Sequence, residues 1–284
     1  MLNDAQKSAV ESLIIKTGDH CIFPYFKNLQ ATDISYKDSK QDPVSIADQE
    51  AEDLLHKGLV SILPDSLFIG EELYAKTPEI LDHLSQPDRP VWVVDPIDGT
   101  NNFIAGKEGF GIMCCLIVAE EILSSFFYEI CKKKLTVFHK GDGITINHAP
   151  IRYKDHTRKK ITGTIGKKLF QFPEVQTLKI DAPDISLDIA SQPSIITYHR
   201  MLEGELDFLI YKITYPWDHL PGLALLSNQG AVFNRWDGTE FQYQDIYEGL
   251  VVARNQTIMA QVMTQIITPL TQSPKIANMR SFVL

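Results

Sequence analysis

At 284 residues the chain is long enough for one large α/β unit or two joined modules. Hydrophobic residues make up 44% and charged residues 22%, and 27 basic against 36 acidic residues give a net charge of −9. This acidic balance argues against sequence-independent binding of nucleic acid, which needs a basic face, and it disfavours a metal-dependent nuclease. Binding of a small phosphate stays open, because a divalent cation can reverse the local charge.

The cysteines and the apolar runs favour a cytoplasmic protein with no membrane partner. Cys21, Cys114, Cys115 and Cys131 form neither a zinc-ligand spacing nor a disulfide framework. The N-terminus lacks the basic start and apolar stretch of a signal peptide. The longest apolar run, residues 112–119, is far shorter than the roughly 20 residues of a membrane span.

The first part of the chain predicts two helices separated by a polar loop. Apolar residues recur at helical spacing up to about Phe26, whereas residues 30–41 have no core pattern. Ser45 is a natural N-cap for the second helix, with Asp48 three residues later, and Leu63-Pro64-Asp65 ends that helix. Taken by itself, Asp48 is a capping acid.

Two predicted strands end in acidic residues. The apolar run 66–69 leads into Glu71, and the apolar run 91–94 leads into Asp95 and Asp98. If these strands finish at one sheet edge, the three acids lie together at the lip of a site rather than in the core. Carboxylates at such distances repel one another, and a bound cation relieves that repulsion.

The segment after Asp95 predicts an anion site beside these acids. A turn begins with Pro96 and continues through Gly99 and Thr100. The backbone N–H groups of Gly99, Thr100 and Asn101 follow the acids directly. We therefore expect a metal ion and an anion to meet at this point.

The rest of the first half predicts an antiparallel sheet, and the second half predicts alternating strands and helices. Strands are expected at 111–118, 122–130 and 135–139. Polar residues dominate between 150 and 160, which suggests modules at 1–150 (α+β) and 151–284 (α/β). In the second module we expect strands at 161–165, 207–210, 231–233 and 250–253, and helices at 174–178, 194–202, 216–226 and 256–267.

One further acid lies near the start of a predicted helix. Pro216 suits the first turn of this helix, and Asp218 follows in the same turn. An acid at this place also interacts favourably with the positive end of the helix, so Asp218 alone does not identify a site.

The acids suit one kind of chemistry. Glu71, Asp95, Asp98 and Asp218 supply oxygen ligands without a matching set of His or Cys. Such ligands favour Mg²⁺, or Mn²⁺ in its place. Together with the carbonyl of Ile97 they could hold two ions, and a metal pair about 4 Å apart stabilises both oxygens of an in-line displacement. Hydrolysis of a phosphate monoester fits this set, whereas no P-loop, G-x-S-x-G or H-E-x-x-H motif is present.

Four blocks of the sequence together resemble the inositol monophosphatase family. They are Asp42-Pro-Val-Ser-Ile-Ala-Asp48, Gly70-Glu71-Glu72, Asp95-Pro-Ile-Asp-Gly-Thr100 and Trp217-Asp218. The blocks follow the family's order and spacing and cover most of the chain. The resemblance implies an α/β fold, a layered α-β-α-β-α sandwich of the inositol monophosphatase and fructose-1,6-bisphosphatase type. It also implies a homodimer and sensitivity to lithium.

The resemblance implies a ligand set for two or three Mg²⁺ ions. Glu71, Asp95 and the Ile97 carbonyl would bind the first ion, and Glu71 would also hold a third, weaker one. Asp95, Asp98 and Asp218 would bind the second.

The resemblance also implies catalytic and substrate-binding roles. Thr100 and Asp48, together with Glu71, would position and activate the attacking water. The substrate phosphate would rest on the amides of Gly99 and Thr100. Lys37 matches a family lysine on a loop over the metals.

Several positions depart from the family pattern where the substrate alcohol is bound. Tyr211-Lys212 replaces an acidic sugar contact, Gln192-Pro193-Ser194 replaces a Gly-Thr-Ala segment, and Asn147-His148 replaces an Asn-Gly turn. We therefore expect Tyr211 and Lys212 among the substrate contacts. An inositol monophosphate is the leading substrate; fructose 1,6-bisphosphate, 3′-phosphoadenosine 5′-phosphate and histidinol phosphate are alternatives. A non-catalytic scaffold is a further alternative, which the complete set of acids disfavours.

Overall fold

The computed structural model describes residues 1–37, 43–86, 88–151, 160–166, 169, 172–175, 184–188 and 192–277. Backbone contacts divide the chain into two compact units. Unit 1 comprises Met1–Ile151, Pro193–Ile196 and Trp217–Leu225, and unit 2 comprises Arg152–Gln192, Thr197–Pro216 and Leu226–Leu284. The division into modules at 1–150 and 151–284 stays a prediction.

The N-terminal part of unit 1 contains helices, a small two-stranded sheet and the first strand of the main sheet. They are α1 (Asp4–Thr17), β1 (Ile34–Tyr36), β2 (Pro43–Ser45), α2 (Ile46–Ile62), β3 (Leu67–Gly70) and α3 (Glu71–Lys76). β1 and β2 pair in antiparallel orientation. Ser45 precedes α2, and both its N–H and its hydroxyl donate to the Asp48 carboxylate, so the predicted cap is present.

The main sheet of unit 1 has seven strands that lie side by side in chain order. After β3 they are β4 (Val91–Asp98), β5 (Gly111–Val118), β6 (Glu121–Glu129), β7 (Lys134–His139), β8 (Gly143–Ile146) and β9 (Ala149–Pro150). β3 and β4 are parallel, and each later pair is antiparallel. A short helix, α4 (Thr100–Ile104), follows β4.

One apolar core joins the helices of unit 1 to this sheet. It includes Ile14 of α1, Leu55 of α2, Trp92 of β4, Phe103 of α4 and Phe126 of β6. Every residue of β4 is buried, which explains its unbroken apolar start. Because β4 lies within the core, the acids at its C-terminal end, Asp95 and Asp98, are buried as well.

Unit 2 contains a five-stranded mixed sheet. Its strands are β10 (Ile161–Ile165), β11 (Ile185–Asp188), β12 (Phe208–Tyr211), β13 (Val232–Asn234) and β14 (Leu250–Ala253), in the order β11-β10-β12-β14-β13. β10 is parallel to β11 and β12, and β14 is antiparallel to β12 and β13. The described helices of the second half are α5 (Ser194–Leu202), α6 (Pro216–Ser227), α7 (Gln256–Val262), α8 (Thr268–Thr271) and α9 (Pro274–Ala277).

The mixed α/β class is confirmed, and so are most of the predicted elements. The prediction was wrong where it began a turn at Pro96: β4 continues through Pro96 to Asp98, with a shift of register between Asp95 and Asp98. Proline lacks the N–H that a regular ladder needs and is tolerated where a bulge interrupts pairing.

Other differences concern short or irregular elements. The predicted loop at 30–41 contains β1, and residues 38–42 lie outside the described part. β8, β9 and β11 were not predicted, and the expected helix at 256–267 changes to a π-helical turn at Met263–Ile267. Of the expected helix at 174–178, residues 176–178 lie outside the described part. In the part of the chain that is described, no helix is long and apolar enough for a bilayer crossing.

Candidate metal centre and active site

The parallel strands β3 and β4 place acids from two parts of the sequence at one sheet edge. Gly70 pairs with Val94 in the register of the two strands, so Glu71 and Asp95 each follow a paired residue. Asp95 is 1% exposed and Asp98 is 7% exposed. The expectation that these acids lie at the lip of a site was therefore wrong in one respect, because both side chains are buried.

Three carboxylates form a compact group in unit 1. Asp95 and Asp98 from β4 and Asp218 from the first turn of α6 each offer an oxygen, and these oxygens lie within 4.8 Å of one another. Glu71 is not part of this group. Among the neighbouring charges, however, that of Glu71 has the largest effect in raising the pKa of Asp95. The structure thus brings together the acids that the sequence placed on separate segments.

Burial dominates the electrostatics of these acids. It raises the pKa of Asp95 well above its usual value, and the charges of Glu71, Asp98 and Asp218 raise it further. Burial also raises the pKa of Asp98 to about 7, although the backbone N–H groups of Ile195 and Ser194 act in the opposite direction. Carboxylates in such surroundings are costly when ionised and unpaired.

One buried oxygen in this group lacks a partner. Asp95 Oδ1 is buried and has no hydrogen-bond partner among the described residues. By contrast, Asp98 accepts hydrogen bonds from the N–H of Ile195 at 2.6 Å and of Ser194 at 3.3 Å. Carboxylate oxygens held this close together are the ligands that a hard divalent cation prefers. The residues present therefore fit Mg²⁺.

The turn after β4 is shaped by a glycine. Gly99 precedes α4 in the left-handed conformation, with φ of +92°. A Cβ atom there would lie 2.8 Å from Pro193 Cγ and 2.9 Å from the Gly109 carbonyl oxygen, so a side chain is excluded. The first N–H groups of a helix have no partner within that helix. The amides of Gly99, Thr100 and Asn101 as phosphate contacts stay a prediction.

Asp48 and Thr100 come together from α2 and α4. Asp48 Oδ2 accepts the Ser45 N–H at 2.8 Å and the Ser45 hydroxyl at 2.6 Å. Its other oxygen, Oδ1, lies 3.2 Å from the Thr100 hydroxyl, which also lies 2.9 Å from the Ile97 carbonyl oxygen. Burial raises the pKa of Asp48 to about 6. The hydroxyl therefore joins the predicted base to the carbonyl that was predicted as a metal ligand.

Lys37 forms ion pairs with two acids of α3, Glu71 and Glu72. Its Nζ atom is 2.6 Å from Glu71 Oε1 and 2.7 Å from Glu72 Oε1. Burial alone would lower the pKa of Lys37, but the charges of Glu71 and Glu72 outweigh it and raise the pKa above its ordinary value. The Lys37 side chain thus neutralises part of the negative charge at the C-terminal end of β3. Asp42 of the first family block lies outside the described residues.

The two predicted substrate contacts of the second half lie in unit 2. The Tyr211 hydroxyl is 2.7 Å from Thr197 Oγ1. The Lys212 ammonium donates to the Tyr247 carbonyl at 3.0 Å and lies 5.1 Å from the centre of the Trp236 ring. Both side chains are engaged within unit 2, and their contacts with substrate stay a prediction.

The sequence analysis missed residues that hold the acids in place. Ser194 and Ile195 act through backbone N–H groups, which leave no trace in residue type. Glu52 is buried and accepts the N–H of Glu72 at 2.8 Å. The sequence could have identified Glu52 by its position four residues after Asp48, because residues four apart share a helix face.

The fold and the site define a class of protein: a mixed α/β protein with buried acids arranged for a divalent cation. The model of the inositol monophosphatase family matches residues 6–271. The chain therefore belongs to the inositol monophosphatase family, and it is a phosphatase that hydrolyses phosphate monoesters.

Relatives and solved structures are similar over most of their length. A fructose-1,6-bisphosphatase/inositol-1-monophosphatase of Aquifex aeolicus is 25% identical over 249 residues, which cover 84% of this chain and 89% of that protein. A histidinol-phosphatase of Chlorobaculum parvum is 27% identical over 225 residues, covering 76% and 82%. The structure of the Thermotoga maritima IMPase matches with a TM-score of 0.76 at 18% identity, covering 95% of this chain and 99% of that chain. The predicted fold type is confirmed.

Proposed function

We propose that the protein is a Mg²⁺-dependent phosphatase of a small phosphorylated metabolite, with Mn²⁺ as a substitute ion. The observation that carries this proposal is the group of the buried Asp95 and Asp98 with the half-buried Asp218, in which Asp95 Oδ1 has no hydrogen-bond partner among the described residues. A structure of an IMPase/NADP phosphatase complexed with Mg²⁺ and phosphate has the same fold, with a TM-score of 0.74. That relative supports both the ion and the anion.

The ligands are assigned by position. Asp95, Asp98 and Asp218 would hold one ion, and Glu71, Asp95 and the Ile97 carbonyl would hold another. A third ion on Glu71 would complete the set of two or three. Bound Mg²⁺ supplies the positive charge that stabilises the phosphate oxygens and makes water a stronger nucleophile at neutral pH.

The chain's own groups hold the water and the phosphate. The Thr100 hydroxyl orients the attacking water, and Asp48 Oδ1, at 3.2 Å from that hydroxyl, takes up the proton that the water loses. The amides of Gly99, Thr100 and Asn101 hold the phosphate oxygens. Water attacks phosphorus and the bond to the alcohol oxygen breaks. That oxygen takes a proton from solvent, to which Asp48 returns the proton it took up, and the products are inorganic phosphate and the free alcohol.

An inositol monophosphate is the proposed substrate, and a second phosphate ester remains an alternative. A structure of the same fold, with a TM-score of 0.76, is of an IMPase with inositol monophosphate bound. The relatives described above are a bifunctional sugar and inositol phosphatase and a histidinol-phosphatase. Tyr211 and Lys212 would take part in the choice among fructose 1,6-bisphosphate, 3′-phosphoadenosine 5′-phosphate and histidinol phosphate.

Three further properties are proposed: a homodimer and lithium sensitivity from family membership, and a cytoplasmic location from the cysteines, which form no disulfide framework. The protein would act in the cytoplasm as a homodimer, and lithium would inhibit it. A structure of a staphylococcal inositol monophosphatase-1 soaked in lithium chloride as an inhibitory complex has the same fold, with a TM-score of 0.75.

The test is a phosphate-release screen over inositol, sugar, nucleotide and histidinol phosphates with Mg²⁺, with and without lithium. We expect release from at least one ester, its loss on chelation, and its loss in Asp98→Asn. The matched control is Asp237→Asn, an acid outside the site that accepts hydrogen bonds from Thr239. Full activity of the Asp98 variant, or equal losses in both variants, would contradict the proposal.

A further inference from the structure

Glu52 is a buried acid that the mechanism does not use. It lies on α2 four residues after Asp48, so both carboxylates project from one helix face. Glu52 is 6% exposed. Asp48 reaches the Thr100 hydroxyl at the end of β4, whereas Glu52 reaches the end of β3. One face of α2 thus contacts the ends of both strands that supply the proposed ligands.

The contacts of Glu52 are with backbone rather than with side chains. Glu52 Oε2 accepts the N–H of Glu72 at 2.8 Å, and the N–H of Leu73 follows in the same turn. These are the second and third residues of α3, whose first residue is Glu71. The residue before α3 is Gly70, which has no side chain to cap the helix. Glu52 therefore does, from a distance in sequence, what an N-cap side chain does locally.

A second observation shows that the backbone is built for this contact. Gly70 has φ of −120°, a conformation that any residue adopts, so flexibility does not explain the glycine. A Cβ atom on Gly70 would lie 2.3 Å from Glu52 Oε2 and 2.7 Å from Phe68 Cε1. The glycine is thus needed for the close approach of the Glu52 carboxylate to the start of α3.

We infer that Glu52 is a positioning residue that fixes the start of α3 so that Glu71 points at the metal centre. Lys37 contacts the side chains of Glu71 and Glu72, whereas Glu52 holds the backbone from which those side chains project. The inference rests on the proposed function, because it requires Glu71 to be a metal ligand. Partners that orient metal ligands typically contribute about 10–100-fold to metal affinity.

Two substitutions separate positioning from simple electrostatic attraction. Glu52→Asp keeps the negative charge but shortens the side chain by one methylene, so the carboxylate no longer reaches the N–H of Glu72. Glu52→Gln keeps the length and one oxygen acceptor but removes the charge. Positioning predicts that the aspartate variant binds metal more weakly than the glutamine variant. Attraction by charge alone predicts the reverse order.

The measurement is a calorimetric titration of Mn²⁺ into chelator-treated protein, which needs no substrate. We expect Glu52→Asp to weaken Mn²⁺ binding by about tenfold or more and Glu52→Gln to weaken it less. Gly70→Ala, which pushes the Glu52 carboxylate away, should match the aspartate variant and serves if that variant fails to fold. Wild-type affinity in Glu52→Asp, or a larger loss in Glu52→Gln, would overturn the inference.

A control variant separates positioning from loss of stability. Asp207 in unit 2 is also buried and accepts a backbone N–H, that of Thr162, at 2.8 Å. Asp207→Asn should lower the melting temperature and leave Mn²⁺ affinity unchanged; an equal loss of affinity would mean that destabilisation explains the Glu52 result.

Failure of the proposed function would look different in the same titration. If the wild type binds no Mn²⁺, or if Asp98→Asn binds as the wild type does, then the metal centre itself is wrong. If the wild type binds and Asp98→Asn does not, while Glu52→Asp is unaffected, only the role of Glu52 is refuted.

Discussion

Asp95 carries an electrostatic cost that the surrounding protein leaves uncompensated. Its side chain is buried, the charges of Glu71, Asp98 and Asp218 raise its pKa, and one of its oxygens has no hydrogen-bond partner in the described part of the chain. A buried carboxylate of this kind can serve the function and still lower the free energy of unfolding. Its replacement by a neutral group relieves the repulsion.

Asp95→Asn should therefore stabilise the metal-free protein while it abolishes activity. In chelator we expect the free energy of unfolding to rise by about 1 kcal/mol, because an amide is neutral and costs less to bury. Chemical denaturation of both proteins in chelator measures the difference. Asp207→Asn is the control and should lose stability, since Asp207 has partners in Thr162 and Arg254. A destabilised Asp95 variant would count against the account.

The Thr100 hydroxyl is expected to matter for rate and little for stability. Thr100→Val keeps the side-chain shape but removes the group between Asp48 and the Ile97 carbonyl. The catalytic rate should fall by about 100-fold or more with a small change in melting temperature. Thr17→Val is the control, because Thr17 also donates to a backbone carbonyl, that of Leu13, outside the site. If the Thr100 variant keeps the wild-type rate, the hydroxyl has no part in the reaction.

At the scale of elements, the connection from β4 to α4 combines a bulge, a proline and a glycine. The register of β4 with β5 shifts between Asp95 and Asp98. Gly99 then adopts a left-handed conformation before α4 begins. This geometry directs Asp98 toward the N–H groups of Ser194 and Ile195. The turn therefore sets the orientation of an acid as well as the start of a helix.

Gly99→Ala tests the packing of this turn. An added Cβ atom would meet Pro193 Cγ at 2.8 Å and the Gly109 oxygen at 2.9 Å, in addition to the strain of φ at +92°. Gly141→Ala is the matched control, because Gly141 has φ of +95° with no atom within 4 Å of the added Cβ. We expect Gly141→Ala to cost about 1 kcal/mol of unfolding free energy and Gly99→Ala at least about 2 kcal/mol. Equal losses in the two variants would show that packing at Gly99 contributes nothing.

Much of the site could be anticipated from the sequence, because its acids follow local patterns. Apolar runs that end in acids located Glu71 and Asp95, and the family blocks located Asp218. Contacts between distant backbone groups could not be anticipated in this way. The amides of Ser194 and Ile195 carry no residue-type signal, and the bulge at Pro96 depends on pairing with β5. Substrate contacts could not be anticipated either, because they fall where the sequence departs from the family pattern.

At the scale of the whole molecule, the buried acids link stability to pH and to metal. Burial is the main cause that raises the pKa of Asp48 to about 6, of Asp98 and Glu52 to about 7, and of Glu72 to about 8. The folded protein therefore binds more protons than the unfolded chain between about pH 4 and pH 8. Without metal, stability is highest at the acidic end of this range and falls as pH rises through these values.

Metal removal should consequently destabilise the protein most at the alkaline end of this range. Thermal melts at pH 5 and pH 8, in chelator and in Mg²⁺, measure the effect. We expect Mg²⁺ to raise the melting temperature more at pH 8, because the ion binds the ionised acids that are otherwise uncompensated. An equal effect of Mg²⁺ at both pH values, or stability in chelator that rises with pH, would contradict this linkage.

The most direct test of the metal centre is anomalous diffraction from crystals of the protein soaked in Mn²⁺. The account predicts an anomalous peak within about 2.5 Å of carboxylate oxygens of Asp95, Asp98 and Asp218, with loss of that peak in Asp98→Asn. A fully soaked crystal with no peak at these three acids, or with an unchanged peak in the variant, would contradict it.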